Sequence, residues 1–321
     1  MVRTYNYRKK TKRTKNNKHK TKQTRKYKKG GSSSEKHFVA CESEGCVFYP
    51  SIQKNDQKND QKNDQITYET VTKVYNLQKV YDKEKAVYDQ LHIADPTYNV
   101  HAHITDFGIV DPEMLTQIKE RRSSMVTTRS LYFIEMEYLG DSIQKLSAEI
   151  YTNEFIEKMT QFYKDLLSLK LDDLYYLNSD IHSGNICYDG VKCKMIDVTS
   201  SSFIDGAEPM TNKIKIDAGN QLASIRGFYN SAYYINPKLE VCNKIQFHLD
   251  NFYKDIISST GEMTYKDVVD KILHILANPG PSPPSLISSP LKQKNQKKKR
   301  REILSPFSPY LSSPRSKKLQ F

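Results

Sequence analysis

Between a polar, basic start and a Pro/Ser-rich end, the pattern of apolar and polar positions first favours strands and, after Gly140, turns helical. "HFVACESEGCVFYPSI" (37–52) predicts two strands around a turn near Glu44-Gly45, and "ITYETVTKVY" (66–75) a β-branched strand that ends around Lys73. A helix should follow from about Leu77 to Leu91, with Val80, Glu84, Val87, Tyr88 and Leu91 on one face. "HAHITDFGIV" (101–110) and "RSLYFIEMEYL" (129–139) read as two more strands. Beyond Gly140, "TNEFIEKMTQFYKDLLSLK" opens on a Thr/Asn start, with Phe155, Met159, Phe162, Leu166 and Leu167 at helical intervals. Further helices are expected near 219–229, 244–257 and 265–276, after a turn and paired short strands within 179–200. A β-rich half before a helical half predicts an α+β fold of two lobes, with ligands in the cleft between them.

Charge sharpens the boundaries. The 321 residues carry +13, yet residues 1–30 hold 14 Lys or Arg and no acid, and residues 278–321 carry a net +9, leaving −10 between them. Both ends are too polar to bury a core and should be disordered. The expected division is a basic tail and Gly/Ser linker over 1–34, a first lobe over 35–139, a second over 140–277, and a Pro/Ser/Lys-rich tail over 278–321. Within the first lobe, "QKND" three times over 53–64 reads as a surface loop. The last segment holds "KKKRR" (297–301) and Ser-Pro steps at Ser282, Ser289, Ser305, Ser308 and Ser313. Residues 1–30 and 292–301 are candidate contacts for nucleic acid without sequence preference, or a localisation signal.

No secretory leader and no apolar run of the roughly 18 residues needed to span a membrane is visible. Five cysteines with no C-x-x-C pair suggest a reduced, intracellular protein whose thiols are small buried hydrophobes.

The chemistry concentrates in "SDIHSGNICYDGVKCKMIDVTS" (179–200). Asp180 and Asn185 are close enough for one loop to aim both inward, and Asp197 ends a strand-like run. A carboxylate paired with an amide oxygen suits Mg²⁺, which takes few protein ligands. A second carboxylate near an attacking hydroxyl suits phosphoryl transfer.

These residues resemble the protein-kinase-like superfamily. "NSDIHSGNI" is similar to its catalytic loop, "MIDV" to its metal-binding turn, "EGCVFYP" to the end of its Gly-rich hairpin, "VTKVY" to its lysine strand, and "FIEMEYLG" to its adenine hinge. The resemblance covers about 37–277 and implies a bilobal kinase-like fold using ATP and Mg²⁺. It implies Asp180, Lys73, Glu84 and His182 as catalytic residues, and Gly45, Val47, Lys73, Met136, Glu137 and Tyr138 around ATP. It implies Asn185 and Asp197 as metal ligands. The composition and slipped repeat resemble the divergent serine/threonine kinases of large DNA viruses. That would imply a protein substrate bearing a Ser or Thr hydroxyl, and a place in the host cytoplasm or nucleus or in the virion.

The departures keep alternatives open. Ala40 and Glu42 stand where the first two loop glycines would be, Asn178-Ser179 replace His-Arg, and Val198-Thr199 replace Phe-Gly. Asp-x-His-x-x-Asn, with His182 where protein kinases carry Lys, resembles the antibiotic and choline phosphotransferases, so a small-molecule substrate is one alternative. A catalytically dead scaffold with nucleic-acid-binding tails is another. "TDFG" (105–108) spells the metal motif about 70 residues too early and is assigned to a strand outside the cleft. Asp217 could anchor the catalytic loop or cap a helix, and a metal role for His101 and His103 is disfavoured because alternate strand residues face apart.

Overall fold

Parity along strand β3 (Thr70–Tyr75) sets the layers of the first lobe. Val71 and Tyr75 point into the main core, whereas Val74 points into a smaller cluster behind the sheet. Lys73 shares the face of Val71 and Tyr75. This computed structural model describes residues 38–41, 45–52, 69–122, 130–258 and 263–281. The basic N-terminal segment, Glu42, the QKND repeat and the Ser-Pro segment from Ser282 onward lie outside the described residues.

The first lobe is a five-stranded antiparallel sheet of β1 (Phe38–Cys41), β2 (Gly45–Tyr49), β3, β4 (Ile104–Ile109) and β5 (Tyr132–Glu137), ordered β1-β2-β3-β5-β4. Helix α1 (Gln78–Ala94) covers one face and buries Tyr81, Glu84, Val87, Tyr88 and Leu91, with Val80 only half-buried. Helix α2 (Pro112–Arg121) covers the other face, packing Met114 and Ile118 against Phe48, Ile52, Val74 and Phe133. The strand pattern alone did not anticipate α2. Its signals are local: Asp111 caps Met114 N–H at 2.7 Å, and Pro112 occupies the first turn.

The second lobe is helical. Helix α3 (Asn153–Leu167), capped by Thr152, carries the predicted stripe. Then come β6 (Lys170–Leu171), β7 (Leu174–Asn178), the hairpin β8 (Ile186–Tyr188) and β9 (Cys193–Met195), and β10 (Ser201–Asp205), which pairs with β7. Helices α4 (Asn212–Ile235), α5 (Glu240–Ser258) and α6 (Tyr265–Ala277) complete it. One hydrophobic core runs from Val71 on β3 to Leu276 on α6. The result is an α+β, bilobal, kinase-like fold: antiparallel sheet with its first helix, then the loop-bearing helical lobe. No helix among the described residues is long and apolar enough to cross a membrane.

A docked loop joins the lobes. Between α1 and β4, Ala102 N–H donates to Met195 O at 3.1 Å, and Met195 N–H donates to Val100 O at 2.8 Å. Buried Asp95 organises this loop, accepting from Asn99 N–H at 3.0 Å and Val100 N–H at 2.9 Å, with His101 Nδ1 3.0 Å away. Burial pushes the Asp95 carboxyl up, but those bonds outweigh it and hold it below the usual carboxylate range.

Three expectations are corrected. Cys41 and Cys46 are disulfide-bonded, because the β1–β2 register sets them opposite each other; Cys187, Cys193 and Cys242 are free and buried. The fourth helix begins at Asn212, so Asp217 sits inside it and Thr211 is the cap, accepting from Ile214 N–H at 3.3 Å. His101 and His103 precede β4 instead of alternating along it, and His101 is taken up by Asp95.

Candidate active site

Lys73 Nζ lies 2.9 Å from both carboxylate oxygens of Glu84 and 3.6 Å from Asp197 Oδ2. Strand parity turns Lys73 toward α1, and Glu84 is fully buried on the facing stripe of that helix. Across the sheet Lys73 is in register with Val47 and Ile134. Gly45 is opposite Tyr75, and a β-carbon at Gly45 would sit 2.1 Å from Val74 O, so only glycine lets β2 approach β3 this closely. One turn beyond Glu84, Tyr88 donates its hydroxyl to Ile196 O at 3.0 Å. Helix α1 thus holds Lys73 with one side chain and the residue before Asp197 with another.

The two carboxyls respond in opposite senses. Burial raises the Glu84 pKa, Lys73 lowers it and Asp197 raises it, and the net effect is upward. Burial also pushes Asp197 up, but Lys73 and the hydroxyl and N–H of Thr199 outweigh it, leaving Asp197 below the usual range. Asp197 therefore keeps its charge near neutral pH. Its Oδ1 accepts from Thr199 N–H at 3.0 Å and from the Thr199 hydroxyl, so Thr199 in the place of glycine orients the carboxylate.

The loop carrying Asp180 and Asn185 is laced to the Asp197 turn at both ends. Ser179 N–H donates to Ser200 O at 3.2 Å, and Ile196 N–H donates to Asn185 O at 3.0 Å. Asn185 Nδ2 donates to Asp180 O at 3.1 Å, and Asp180 N–H donates to Asn178 Oδ1 at 2.8 Å. Asn178 is buried, with Nδ2 3.0 Å from Met195 Sδ, so it fastens the loop to β9. His182 Nε2 stands 3.7 Å from Asp180 Oδ1, while its Nδ1 accepts from Gly184 N–H at 3.0 Å. That bond leaves the proton of a neutral ring on Nε2, the nitrogen nearer Asp180. A β-carbon at Gly184 would lie 2.8 Å from the His182 ring.

The hinge residues divide. Met136 is buried in the core. The Glu137 carboxylate accepts from His103 N–H at 2.9 Å and forms an ion pair with Lys194 on β9, while Glu137 N–H donates to His103 O at 2.9 Å. Tyr138 N–H donates to Glu69 O at 2.7 Å, and its ring stacks on Tyr49 with centroids 4.3 Å apart. Glu137 thus ties the sheet to the second lobe through its side chain, and the N–H groups of both residues are committed within the protein. Asp106 lies on edge strand β4, in register with Glu135 and Thr72, not with Ile134 and Lys73.

The donor chemistry fits one divalent cation shared with a phosphate. No group of three or more His, Cys, Asp or Glu among the described residues could hold a metal alone. An ionised Asp197 and the amide oxygen of Asn185, its nitrogen engaged by Asp180, supply the one or two protein ligands that Mg²⁺ accepts beside phosphate oxygens. Sequence reasoning noted Thr199 and Asn178 only as departures and gave no role to Lys194. The first has a local signal, a hydroxyl two residues after an Asp at a turn. Lys194 acts on Glu137, distant in sequence, and Asn178 joins nearby Asp180 to Met195 on another strand.

No protein-family model matches the sequence, and comparison with curated proteins finds no relative. Among solved structures, a thermostable mutant of aminoglycoside phosphotransferase APH(4)-Ia in its apo form is similar at 10% identity and a TM-score of 0.39, over 75% of this chain and 94% of that one. The same protein in a ternary complex with ADP and hygromycin B is similar at 10% identity and 0.39, over 77% and 95%.

Proposed function

We propose that this chain is an ATP-dependent phosphotransferase that moves the γ-phosphate to a hydroxyl, with Ser or Thr of a protein as acceptor. The observation that carries the reading is the buried triangle of Lys73, Glu84 and Asp197, set against a loop that presents Asp180 and Asn185. A lysine held by a buried carboxylate is aimed without losing its charge, which is what binding the α- and β-phosphates requires. Asn185 and Asp197 would hold Mg²⁺, which when bound neutralises charge on the phosphates. Asp180, half-exposed at the loop, accepts the proton of the attacking hydroxyl. Val47, in register with Lys73, and Met136, buried on the neighbouring strand, would flank the base.

A second reading is favoured by His182. Its Nε2 lies beside Asp180, where a small polyhydroxylated acceptor could donate to one and accept from the other. Purified protein with radiolabelled ATP separates the readings. Label on a generic basic protein, lost in Asp180→Asn, supports the first; label only on small hydroxyl compounds supports the second. MgATP binding without transfer to either would make the chain a nucleotide-binding scaffold and overturn both. Composition and the slipped repeat support a further proposal, that the chain is of the divergent viral kinase type, and the basic end segments are proposed contacts for nucleic acid.

A further inference from the structure

Asp197 Oδ1 accepts twice from one residue, from Thr199 N–H at 3.0 Å and from the Thr199 hydroxyl. The N–H two residues on is the ordinary closure of an Asx turn. The hydroxyl is an addition on the same oxygen. A carboxylate oxygen has two lone pairs, so the two donors fill Oδ1. Oδ2 faces Lys73 Nζ at 3.6 Å. One ammonium donor takes at most one of its lone pairs, so Oδ2 keeps room for a ligand.

The turn holds Thr199 in this place. Val198 before it is fully buried, and its carbonyl accepts from Ser201 N–H at 3.0 Å. The carbonyl of Ser200 after it accepts from Ser179 N–H at 3.2 Å, which ties the turn to the loop of Asp180. With both neighbours fastened, the hydroxyl leaves Oδ1 only by a change of χ1, which β-branching restricts. Asn185 brings one amide oxygen, its nitrogen engaged by Asp180. Asp197 and Asn185 therefore offer a cation one oxygen each. That suits Mg²⁺, which takes octahedral geometry and keeps several waters beside one or two protein ligands and phosphate. Ca²⁺ takes roughly six to eight oxygens, often both from one carboxylate.

We propose that Thr199 is a positioning residue that sets metal preference: its hydroxyl closes Asp197 Oδ1, so that the carboxylate meets a cation through Oδ2 alone and Mg²⁺ is taken over Ca²⁺. The inference rests on the phosphotransferase reading and adds to it a residue that touches neither phosphate nor metal.

The test is calorimetric titration of the full chain with MgATP and with CaATP, on wild type, Thr199→Val and Thr199→Ser. Valine keeps the branched shape and the N–H and removes the hydroxyl; serine keeps the hydroxyl. Thr199→Val should lower the ratio of the CaATP Kd to the MgATP Kd about tenfold, the scale of one hydrogen bond to a charged group. Thr199→Ser should keep the wild-type ratio. A Thr199→Val ratio equal to that of wild type overturns this inference alone, including the case in which both complexes weaken equally because the hydroxyl only holds the turn. A Thr199→Ser ratio that follows that of Thr199→Val also overturns it. Infrared difference spectra of the wild type, MgADP against ADP, examine the same oxygen without a variant. Ligation through one oxygen moves the antisymmetric and symmetric carboxylate bands apart, and bands drawn together by two-oxygen ligation would overturn the assignment. A wild type that binds neither MgATP nor CaATP removes the phosphotransferase reading and this inference with it.

Discussion

Lys73 on β3 and Glu84 on α1 form a two-oxygen contact, 2.9 Å to each carboxylate oxygen, in which the acid is wholly buried. Removing the lysine alone leaves a buried carboxylate without its counter-ion. Lys73→Met should cost about 3 kcal/mol, seen as a midpoint lower by roughly 6–12 °C, and should abolish phosphate transfer. Lys73→Met combined with Glu84→Leu should recover most of the midpoint without activity. A single variant as stable as wild type would show that the pair does not hold α1 to the sheet.

Asp180 and Asp197 should separate kinetically. Asp180→Asn removes a carboxylate used at the transition state, so MgATP affinity should stay within about threefold while turnover falls by about a hundredfold or more. Asp197→Asn removes a charge held ionised beside Lys73, so it should weaken MgATP binding itself. Titration calorimetry beside single-turnover kinetics resolves the two, and wild-type turnover in both variants would refute the site.

Asp106→Asn should leave the Mg²⁺ dependence of turnover unchanged, because Asp106 is on the edge strand and out of register with Lys73. A shift in the Mg²⁺ concentration for half-maximal rate would reverse that assignment.

Asp95 anchors the loop that joins the lobes. Asp95→Ala strips acceptors from Asn99 N–H and Val100 N–H and should cost about 2–4 kcal/mol. The folded pKa of Asp95 lies below its ordinary value, so its contribution is present above about pH 4 and is lost as pH falls through the folded value. Midpoints measured from pH 7 down to pH 3 should therefore show the gap between wild type and Asp95→Ala narrowing at the acid end.

Reducing the Cys41–Cys46 bond opens a short loop, since the cysteines are 5 residues apart. The lost constraint is worth about 2 kcal/mol. Differential scanning calorimetry with and without a dithiol should show a lower midpoint when reduced, and a Cys41→Ser, Cys46→Ser protein should not respond to the dithiol.

Most strands and helices are legible in the sequence because each carries a local signal: β-branched and aromatic runs in β3 and β5, and apolar residues at helical intervals in α1 and α3. The sequence also marked Asp180, Asn185 and Asp197 as chemistry-bearing because they lie within one short stretch. Helix α2 escaped because its pattern is brief and lies between strands, with its evidence in Asp111 and Pro112. That Lys73 reaches Glu84 and Asp197 at once is visible only in the folded chain, since it depends on strand parity, the rotation of α1 and the Tyr88–Ile196 tie acting together. Packing alone also joined Glu137 to Lys194 and bonded Cys41 to Cys46. Local periodicity records which face a residue occupies. Which distant charge or hydroxyl meets it there is set by packing between elements, and one sequence carries no local trace of that.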